Sequence, residues 1–533
     1  MVNGLTVFRV VWTAFIVVVT SAPYLLNALS APPGSHYTWI IPPYPDDSFA
    51  YAAWAQQAAH GAWLFKIKFT ALPHHAFLFH PFFLVCGWMS ALFSCDIGVV
   101  FWVAKAAGVV LFFTIFYRYI DYLRLDAVAW IAASILVGIS SGFGGLVALL
   151  GWMRESPNFP ADLRMPEMST YWSLLWNPLF PFSLALLLLS IYWLDRASRG
   201  GSPIDFWRSG FVTGLLGLIH PYSIPLLFAF AAIATVARQQ KRSLGCLAQY
   251  IGASIPLLFW VAWMSRSNPL VWQHSTLGEM YGPPVIALLL GFGLLLLLPV
   301  SALVLARMSF LRQHWQLLLW FLLSAALTYS PFWFQRKLIF GAHIALSILG
   351  GTAVSVISAH LSSRWRSHDA AVVSAIILAP LLLATPLYLY LSQREKVRLN
   401  MDGAYFVSED LMVGLRALKS TSKPDDVVLA TYGTSRLVAA FAGNTVVWGH
   451  WAMSIDLKQR RKWLQDLLSS ESDWSDEKRS AAFWGNDIQF FFVDGAFKES
   501  IETDPLAWDV ILRGAQKIFA NNLVLIYRRP LSR

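Results

Sequence analysis

Charged residues are scarce in this 533-residue sequence, and their scarcity excludes a wholly soluble protein. Lys, Arg, Asp and Glu make up 13% of the chain, against roughly 25% in a typical soluble domain. Hydrophobic residues make up 57%, which is more than one soluble core can enclose in a chain of this length. Lipid must solvate much of the surface, and the sequence therefore predicts a polytopic integral membrane protein.

Cysteine is also scarce, which excludes a disulfide framework and a cysteine-rich metal cluster. The three cysteines are Cys86, Cys95 and Cys246. A Cys86–Cys95 bridge would require that both residues face an oxidising compartment. Two free thiols in apolar surroundings are the simpler interpretation.

The net charge of +10 does not indicate a nucleic-acid partner, because the excess lies between apolar segments. Residues 1–391 hold 21 basic and 12 acidic residues, whereas residues 392–533 hold 19 and 18. Basic residues in short loops set membrane orientation. We therefore expect the lipid bilayer, and no nucleic acid, to be a partner.

The apolar segments predict about eleven transmembrane helices. Residues 209–237 are read as a hairpin of two short helices that turn at His220-Pro221, and residues 76–94 as a helix along the outer interface. The other apolar segments are 8–29, 98–117, 126–150, 174–194, 244–263, 284–306, 314–330, 338–359 and 369–391.

With the N-terminus in the cytoplasm, this arrangement of spans places 13 basic residues of the membrane half on the cytoplasmic side and seven on the outer side, as the positive-inside rule favours. The first span is expected to be retained, because no short signal-peptide pattern precedes it. The predicted location is a bacterial inner or plasma membrane. Residues 1–391 form the predicted transmembrane domain. Residues 392–533, where strand-like and helix-like segments alternate, are predicted to form an extracytoplasmic α/β domain.

Two adjacent aspartates, Asp46 and Asp47, are the most informative polar residues of the long first outer loop, about residues 30–97. They follow a proline-rich run that forces an extended approach, and they precede a helix-like segment. One aspartate suffices to cap a helix and to favour its positive end. Because a second one adds repulsion, two interpretations remain: helix capping, or a general base or divalent-cation ligand.

The sequence around these aspartates resembles the first-loop motif of the GT-C superfamily, membrane glycosyltransferases that use polyprenyl-phosphate sugars. The segment is Asp46-Asp47-Ser48-Phe49-Ala50-Tyr51-Ala52-Ala53-Trp54-Ala55. In that family an acidic pair opens a juxtamembrane helix after the first span, and a second acidic site lies in the second outer loop. The C-terminus often carries an extracytoplasmic domain. Two further segments are similar to those of uncharacterised bacterial members: Phe334-Gln335-Arg336-Lys337-Leu338 and Gly449-His450-Trp451.

The resemblance implies a GT-C-like fold and an inverting transfer of sugar to an extracytoplasmic glycan, lipid or protein acceptor. Asp46 or Asp47 would deprotonate the acceptor hydroxyl, which then displaces the lipid phosphate. The second outer loop would supply another acid, in the order of preference Asp162, Glu167, Glu155. Each of these, and Glu279 in a later outer loop, has the alternative interpretation of a solvated carboxylate.

A lipid-phosphate donor would require cations near the outer interface. Arg336 and Lys337 are candidates because they begin a span on the outer side, although they could instead snorkel to the headgroups. Lys105 lies within a span, where a charge is a functional candidate by default, although near the outer end it could instead snorkel to the interface. His220, at the predicted hairpin turn, would contact the phosphate or sugar of the donor.

A divalent cation, Mg²⁺ or Mn²⁺, is the one cofactor considered. Its candidate ligands are Asp46, Asp47, Glu155 and Asp162. His74, His75 and His80 share the first outer loop, but their spacing is no recognised ligand pattern.

Two other functions remain open. A transporter or flippase should carry acids within its spans and repeat symmetry, and the chain could also be a non-catalytic assembly subunit of an envelope glycan pathway. The Trp-Trp-Asp signature of oligosaccharyltransferases is absent from the sequence, so the resemblance does not identify the substrate.

Overall fold

The protein is described by a computed structural model over residues 4–153, 155–237, 243–268, 280–362, 367–468, 475–485, 487–503 and 505–529. The chain forms two compact units. The first unit consists of Met1–Pro23, Trp102–Trp263 and Glu279–Glu395, and the second of Tyr24–Phe101, Met264–Gly278 and Lys396–Arg533.

The described part of the chain is mainly helical. Its α-helices, in chain order, are α1 (Gly4–Leu29), α2 (Pro45–Ala59), α3 (Pro81–Phe93), α4 (Ile97–Tyr122), α5 (Ala127–Ile139), α6 (Gly144–Leu149), α7 (Thr170–Trp176), α8 (Leu179–Ser198), α9 (Ile204–Ile219), α10 (Ile224–Ala237), α11 (Ser243–Ser267), α12 (Val285–Phe292), α13 (Leu294–Leu327), α14 (Ala342–Ser362), α15 (Ser367–Arg398), α16 (Glu409–Thr421), α17 (Tyr432–Leu437), α18 (Leu457–Leu468), α19 (Asp476–Gly485), α20 (Gly495–Thr503) and α21 (Pro505–Leu512). Four 3₁₀ turns carry candidate residues or adjoin them: Ala161–Leu163, Pro166–Met168, Pro221–Ser223 and Gln335–Ile339.

The strands lie in the second unit. They are β1 (Ser35–Tyr37), β2 (Phe406–Ser408), β3 (Val427–Leu429), β4 (Thr445–Val446), β5 (Ile488–Val493), β6 (Gln516–Ala520) and β7 (Leu525–Arg528). β1 pairs antiparallel with β2, with His36 opposite Val407. The other strands form a sheet in the order β4-β3-β5-β7-β6, parallel from β4 to β5 and antiparallel beyond it.

Six of the described helical segments are long and apolar enough to cross a bilayer: Gly4–Leu29, Ile97–Tyr122, Leu179–Ser198, Leu244–Ser267, Leu294–Leu327 and Gln335–His360. These segments support an integral membrane protein. The total of about eleven spans and their orientation stay predictions.

One predicted span differs from the helices observed. Residues 126–150 form α5 and α6, separated by a short break at 140–143. The break contains Gly142, where an added Cβ would lie 2.2 Å from the carbonyl oxygen of Gly291. Only glycine permits so close an approach of two backbones.

The predicted loop at 307–313 coincides with a kink within α13. The backbone leaves the helical region at Arg307 and again at His314, so two helical segments meet there.

The predicted hairpin within residues 209–237 is confirmed as a pair of helices. α9 ends at Ile219, the 3₁₀ turn Pro221–Ser223 follows, and α10 begins at Ile224. Pro221 lacks the backbone N–H that a continuous helix would require, so the chain turns there.

The five-stranded sheet of the second unit is covered on both faces. Along β5, Phe490 and Phe492 belong to one apolar cluster, while Phe491 and Val493 belong to another. This alternation is that of a strand buried on two sides. The predicted C-terminal α/β arrangement is therefore confirmed, although the sheet is mixed.

Helix α2 completes one of these two clusters. Phe49, Ala50 and Ala53 pack in the same cluster as Val428 of β3 and Phe490 of β5. The segment around α2 and the C-terminal segment thus share one hydrophobic core within the second unit. The three cysteines are free thiols; Cys86 is buried, whereas Cys95 is exposed and not in the apolar surroundings that were expected.

Candidate active site

The start of α2 places the two adjacent aspartates side by side. Pro45 is the first residue of the helix, where its missing N–H costs nothing. Asp46 and Asp47 follow in the first turn, and Tyr44 occupies the capping position without a side-chain capping bond. Carboxylates in the first turn are favoured by the helix dipole. Their hydrogen bonds to the C-terminal segment show that capping alone does not account for the pair.

Asp46 forms a partly buried ion pair. Its Oδ1 accepts a hydrogen bond from Nη1 of Arg436 at 2.7 Å, and its Oδ2 accepts one from the hydroxyl of Tyr432 at 2.7 Å. The side chains of Asp46 and Arg436 are 15% and 6% exposed. Both carboxylate oxygens of Asp46 therefore accept hydrogen bonds from strong donors, one of them a guanidinium.

Tyr432 stays a neutral hydrogen-bond donor. Burial raises the pKa of its phenol, and the hydrogen bond and negative charge of Asp46 raise it further. The guanidinium of Arg461 lies over the Tyr432 ring, 5.1 Å from its centroid, and that of Arg436 lies 5.7 Å from the ring centroid of Phe49. Two guanidinium groups, each stacked on an aromatic ring, therefore surround Asp46 and Tyr432.

Asp47 contacts a different group of residues. Its Oδ1 lies 3.2 Å from Nε2 of His450 and accepts a hydrogen bond from Nε1 of Trp451 at 3.4 Å. The Asp47 side chain is 29% exposed, whereas the His450 side chain is 2% exposed. The ring of Trp451 is 44% exposed. Asp47 is therefore the more accessible of the two carboxylates, beside an exposed aromatic surface.

Asp162, in the 3₁₀ turn Ala161–Leu163, is fully buried in the first unit. Its carboxylate accepts hydrogen bonds from the hydroxyls of Ser141 and Thr385, at 3.1 and 2.8 Å, and from the N–H of Gly144. Burial raises the pKa of Asp162 to about 6, although these hydrogen bonds act in the opposite direction. The carboxylate holds the break between α5 and α6 in place, and its catalytic role stays a prediction.

Glu167, Arg336 and Lys337 lie on 3₁₀ turns of the first unit that pack together: the Gln335–Ile339 turn packs against the Pro166–Met168 and Pro221–Ser223 turns. Oε2 of Glu167 and Nε of Arg336 are buried without a hydrogen-bond partner in the described part of the chain. The ammonium of Lys337 lies 3.9 Å from the ring centroid of Tyr222. Buried polar atoms without a partner are costly, and they mark this group of turns as a candidate polar ligand site.

His220 and Lys105 are both buried in the first unit. The His220 ring packs against Phe340 at 4.7 Å between ring centroids and against Phe180 at 5.6 Å. The ammonium of Lys105 donates to the carbonyl of Thr20 in α1. Lys105 therefore contacts protein rather than reaching the interface, and substrate binding by either residue stays a prediction.

The described residues contain no group of three or more His, Cys, Asp or Glu that could hold a metal ion. Asp46 already has a guanidinium as its counter-ion, Glu155 is exposed, and Asp162 is enclosed. The residues considered as ligands therefore do not form a fitting donor set, and a divalent cation stays a prediction. Glu279 lies outside the described residues.

Sequence reasoning missed the partners of the aspartates. Arg436 and Tyr432 were not singled out, because nothing in the local sequence pairs them with a loop nearly 400 positions earlier. The Gly449-His450-Trp451 segment was noticed only through the resemblance. The adjacent pair in the first loop was the available signal that such partners exist.

Comparison with known proteins identifies the fold. No family model matches the sequence, and no curated protein matches it. An oligosaccharyltransferase of Archaeoglobus fulgidus, tethered to an acceptor peptide, superposes with a TM-score of 0.50 at 13% identity, over 97% of this chain and 74% of that chain. ArnT from Cupriavidus metallidurans, bound to undecaprenyl phosphate, superposes with a TM-score of 0.53 at 13% identity, over 99% and 98%. The chain has a GT-C-like fold.

The mycobacterial arabinofuranosyltransferase AftD extends the comparison. It superposes with a TM-score of 0.54 at 14% identity, over 97% of this chain and 40% of that chain. These likenesses confirm the GT-C-like fold that the first-loop motif implied. At such low identities they establish the fold alone.

Proposed function

We propose that this GT-C-like protein transfers a sugar from a polyprenyl-phosphate carrier to an extracytoplasmic acceptor. The observation that carries the proposal is the pair of aspartates at the start of α2, one locked in an ion pair and the other accessible. Two similar structures support the substrate classes: one is bound to undecaprenyl phosphate and one is tethered to an acceptor peptide. AftD adds an example of a sugar transferase with this fold.

In this proposal Asp47 is the general base and Asp46 is a positioning residue. Asp47 takes the proton of the acceptor hydroxyl. The hydroxyl oxygen forms a new bond to the anomeric carbon as the bond from that carbon to the phosphate oxygen breaks. The polyprenyl phosphate leaves with the electron pair, and the configuration at the anomeric carbon is inverted. Asp46 is less suited to act as the base, because Arg436 and Tyr432 engage both of its oxygens.

Arg336 and Lys337 are proposed to bind the phosphate of the carrier. Neither cation forms an ion pair with a carboxylate among the residues described. Nε of Arg336 is buried without a partner, and a guanidinium fork matches phosphate oxygens well. A cation in this position would also stabilise the negative charge that develops on the leaving phosphate.

The test is a transfer assay with membranes that contain the wild type, Asp47→Asn or Asp96→Asn, and a panel of radiolabelled polyprenyl-phosphate sugars. Asp96 is a matched control because it lies in the same loop and pairs with His36 at 3.1 Å. We expect one donor to support transfer by the wild type and Asp96→Asn, with a loss of at least about 100-fold in Asp47→Asn. Transfer that survives in Asp47→Asn would contradict the assignment of the base, and no transfer from any donor would contradict the function.

A further inference from the structure

We infer that His450 is a positioning residue for Asp47 and holds it through a single neutral tautomer, so that the C-terminal domain supplies part of the catalytic centre. The inference rests on the proposed role of Asp47 as the base. It is carried by contacts within the second unit, where a buried imidazole lies between the C-terminal turn and the first-loop carboxylate.

The tautomer of His450 follows from its two ring nitrogens. Nδ1 accepts hydrogen bonds from the backbone N–H groups of Ala452 and Met453, both at 3.1 Å. A nitrogen that accepts two N–H donors carries no proton of its own. In the neutral ring the proton then resides on Nε2, which lies 3.2 Å from Oδ1 of Asp47 and donates to it.

The ring cannot easily turn away from this position. The N–H groups of Gly449 and His450 both donate to the hydroxyl of Ser454, and the N–H of Ser454 donates back to the carbonyl of His450. Gly449 has a φ of +143°, and an added Cβ there would lie 3.0 Å from Cβ of Ser435. Phe69 packs against the imidazole at 5.6 Å between ring centroids.

This arrangement has a consequence for the base. A neutral N–H donor fixes the direction of the Asp47 carboxylate, whereas the guanidinium of Arg436 holds Asp46 in an ion pair. Asp46 and Asp47 are adjacent in sequence, yet the C-terminal segment contacts them through different groups: a guanidinium and a phenol at Asp46, and an imidazole at Asp47. The pair therefore divides into a structural carboxylate and a reactive one.

Two substitutions separate positioning from a merely structural role. His450→Gln retains a side-chain N–H at the place of Nε2, which donates to Asp47. His450→Asn retains an oxygen at the place of Nδ1, which accepts from Ala452 and Met453. If His450 positions Asp47, His450→Asn should lower kcat by about 100-fold with little change in melting temperature, while His450→Gln should keep more of the kcat and lose more stability. If the reverse ranking of kcat is found, His450 only closes its turn and the inference is wrong.

A second measurement needs no transfer activity, so it separates failure of this inference from failure of the proposed function. The full-length protein is labelled with ¹⁵N-histidine, and the His450 resonances are assigned by their loss in His450→Gln. We expect a neutral ring with its proton on Nε2, and a change in the Nε2 shift in Asp47→Asn. A proton on Nδ1, or no response to Asp47→Asn, would overturn the inference even if the enzyme is active.

Discussion

Removal of Arg436 should destabilise the second unit strongly, because it leaves the carboxylate of Asp46 buried beside Tyr432 without its cation. Two unit charges about 4 Å apart attract by about 4 kcal/mol at an effective dielectric constant of about 20. Truncation of one partner of a buried pair costs about 3–5 kcal/mol, because the remaining charge is uncompensated. Asp46 is 15% exposed, so we expect Arg436→Met to cost about 3 kcal/mol, near the lower end.

The assay is thermal unfolding of the detergent-solubilised protein, followed by tryptophan fluorescence. A cost of about 3 kcal/mol corresponds to a decrease in melting temperature of about 6–12 °C for a unit of this size. The matched control is Arg416→Met, because Arg416 pairs with Glu409 while both side chains are more than half exposed; we expect at most about 1 kcal/mol there.

A double-mutant cycle decides whether the pair itself is responsible. In Asp46→Asn the arginine loses its charged partner, and in the double variant with Arg436→Met no charge remains uncompensated. We expect the double variant to be more stable than the sum of the two single losses predicts, by about 1–3 kcal/mol. Strict additivity of the two losses would refute the reasoning.

Three further predictions concern the first unit. Gly144→Ala should lower the free energy of unfolding by about 1–3 kcal/mol, because its Cβ would lie 2.4 Å from Oδ1 of Asp162; a lower melting temperature would show this. In the wild type, stability should fall as the pH rises from about 4 to about 6, by up to roughly 3 kcal/mol, and Asp162→Asn should flatten this dependence; melting curves across that range test it. Arg336→Met should raise KM for the polyprenyl-phosphate donor by about 10- to 100-fold, as measured by initial rates.

The sign of the pH effect follows from the raised pKa of Asp162, which is about 6 against an ordinary value of 3.8 for an aspartate. The folded state binds the proton more tightly than the unfolded state does, so the free energy of unfolding decreases as the pH rises between these two values. A melting temperature that rises with pH in the wild type but not in Asp162→Asn would contradict the account.

Controls for the other two predictions lie elsewhere in the chain. Gly252 lies in α11 with nothing within 4 Å of an added Cβ, so Gly252→Ala should be neutral or stabilising. Arg513 is 71% exposed in the C-terminal domain, and Arg513→Met should leave the donor KM unchanged. Equal effects of either control and its partner variant would contradict the specific reasons given.

The membrane character and the C-terminal sheet were predictable because their signals are local. Long apolar runs predict helices, and the alternation of strand-like and helix-like segments in residues 392–533 predicts an α/β arrangement. The hairpin at His220-Pro221 was predictable because proline cannot donate the hydrogen bond of a helix interior, although Pro23, Pro256 and Pro299 are accommodated inside helices. The break within 126–150 was not predicted, because it depends on backbone contact between Gly142 and Gly291, which are far apart in sequence.

The candidate site was only half predictable. Asp46 and Asp47 stand out because one carboxylate suffices to cap a helix, and a second one beside it adds electrostatic repulsion. Their partners Arg436, Tyr432 and His450 come from a different part of the chain, and hydrogen bonds between distant segments leave no periodic signal. The enclosure of Asp162 was equally unpredictable, because its donors come from Ser141, Gly144 and Thr385.

The most direct test of the central claim uses purified protein in liposomes and the donor that the panel assay identifies, labelled with ³²P in the carrier phosphate and ¹⁴C in the sugar. The acceptor is supplied as an extract of the membranes used in that assay. Transfer separates the two labels, because the bond between the sugar and the phosphate breaks, whereas a flippase moves both labels together. We predict that the wild type separates the labels and that Asp47→Asn does not. Movement of both labels across the bilayer without separation would contradict the proposed glycosyltransferase.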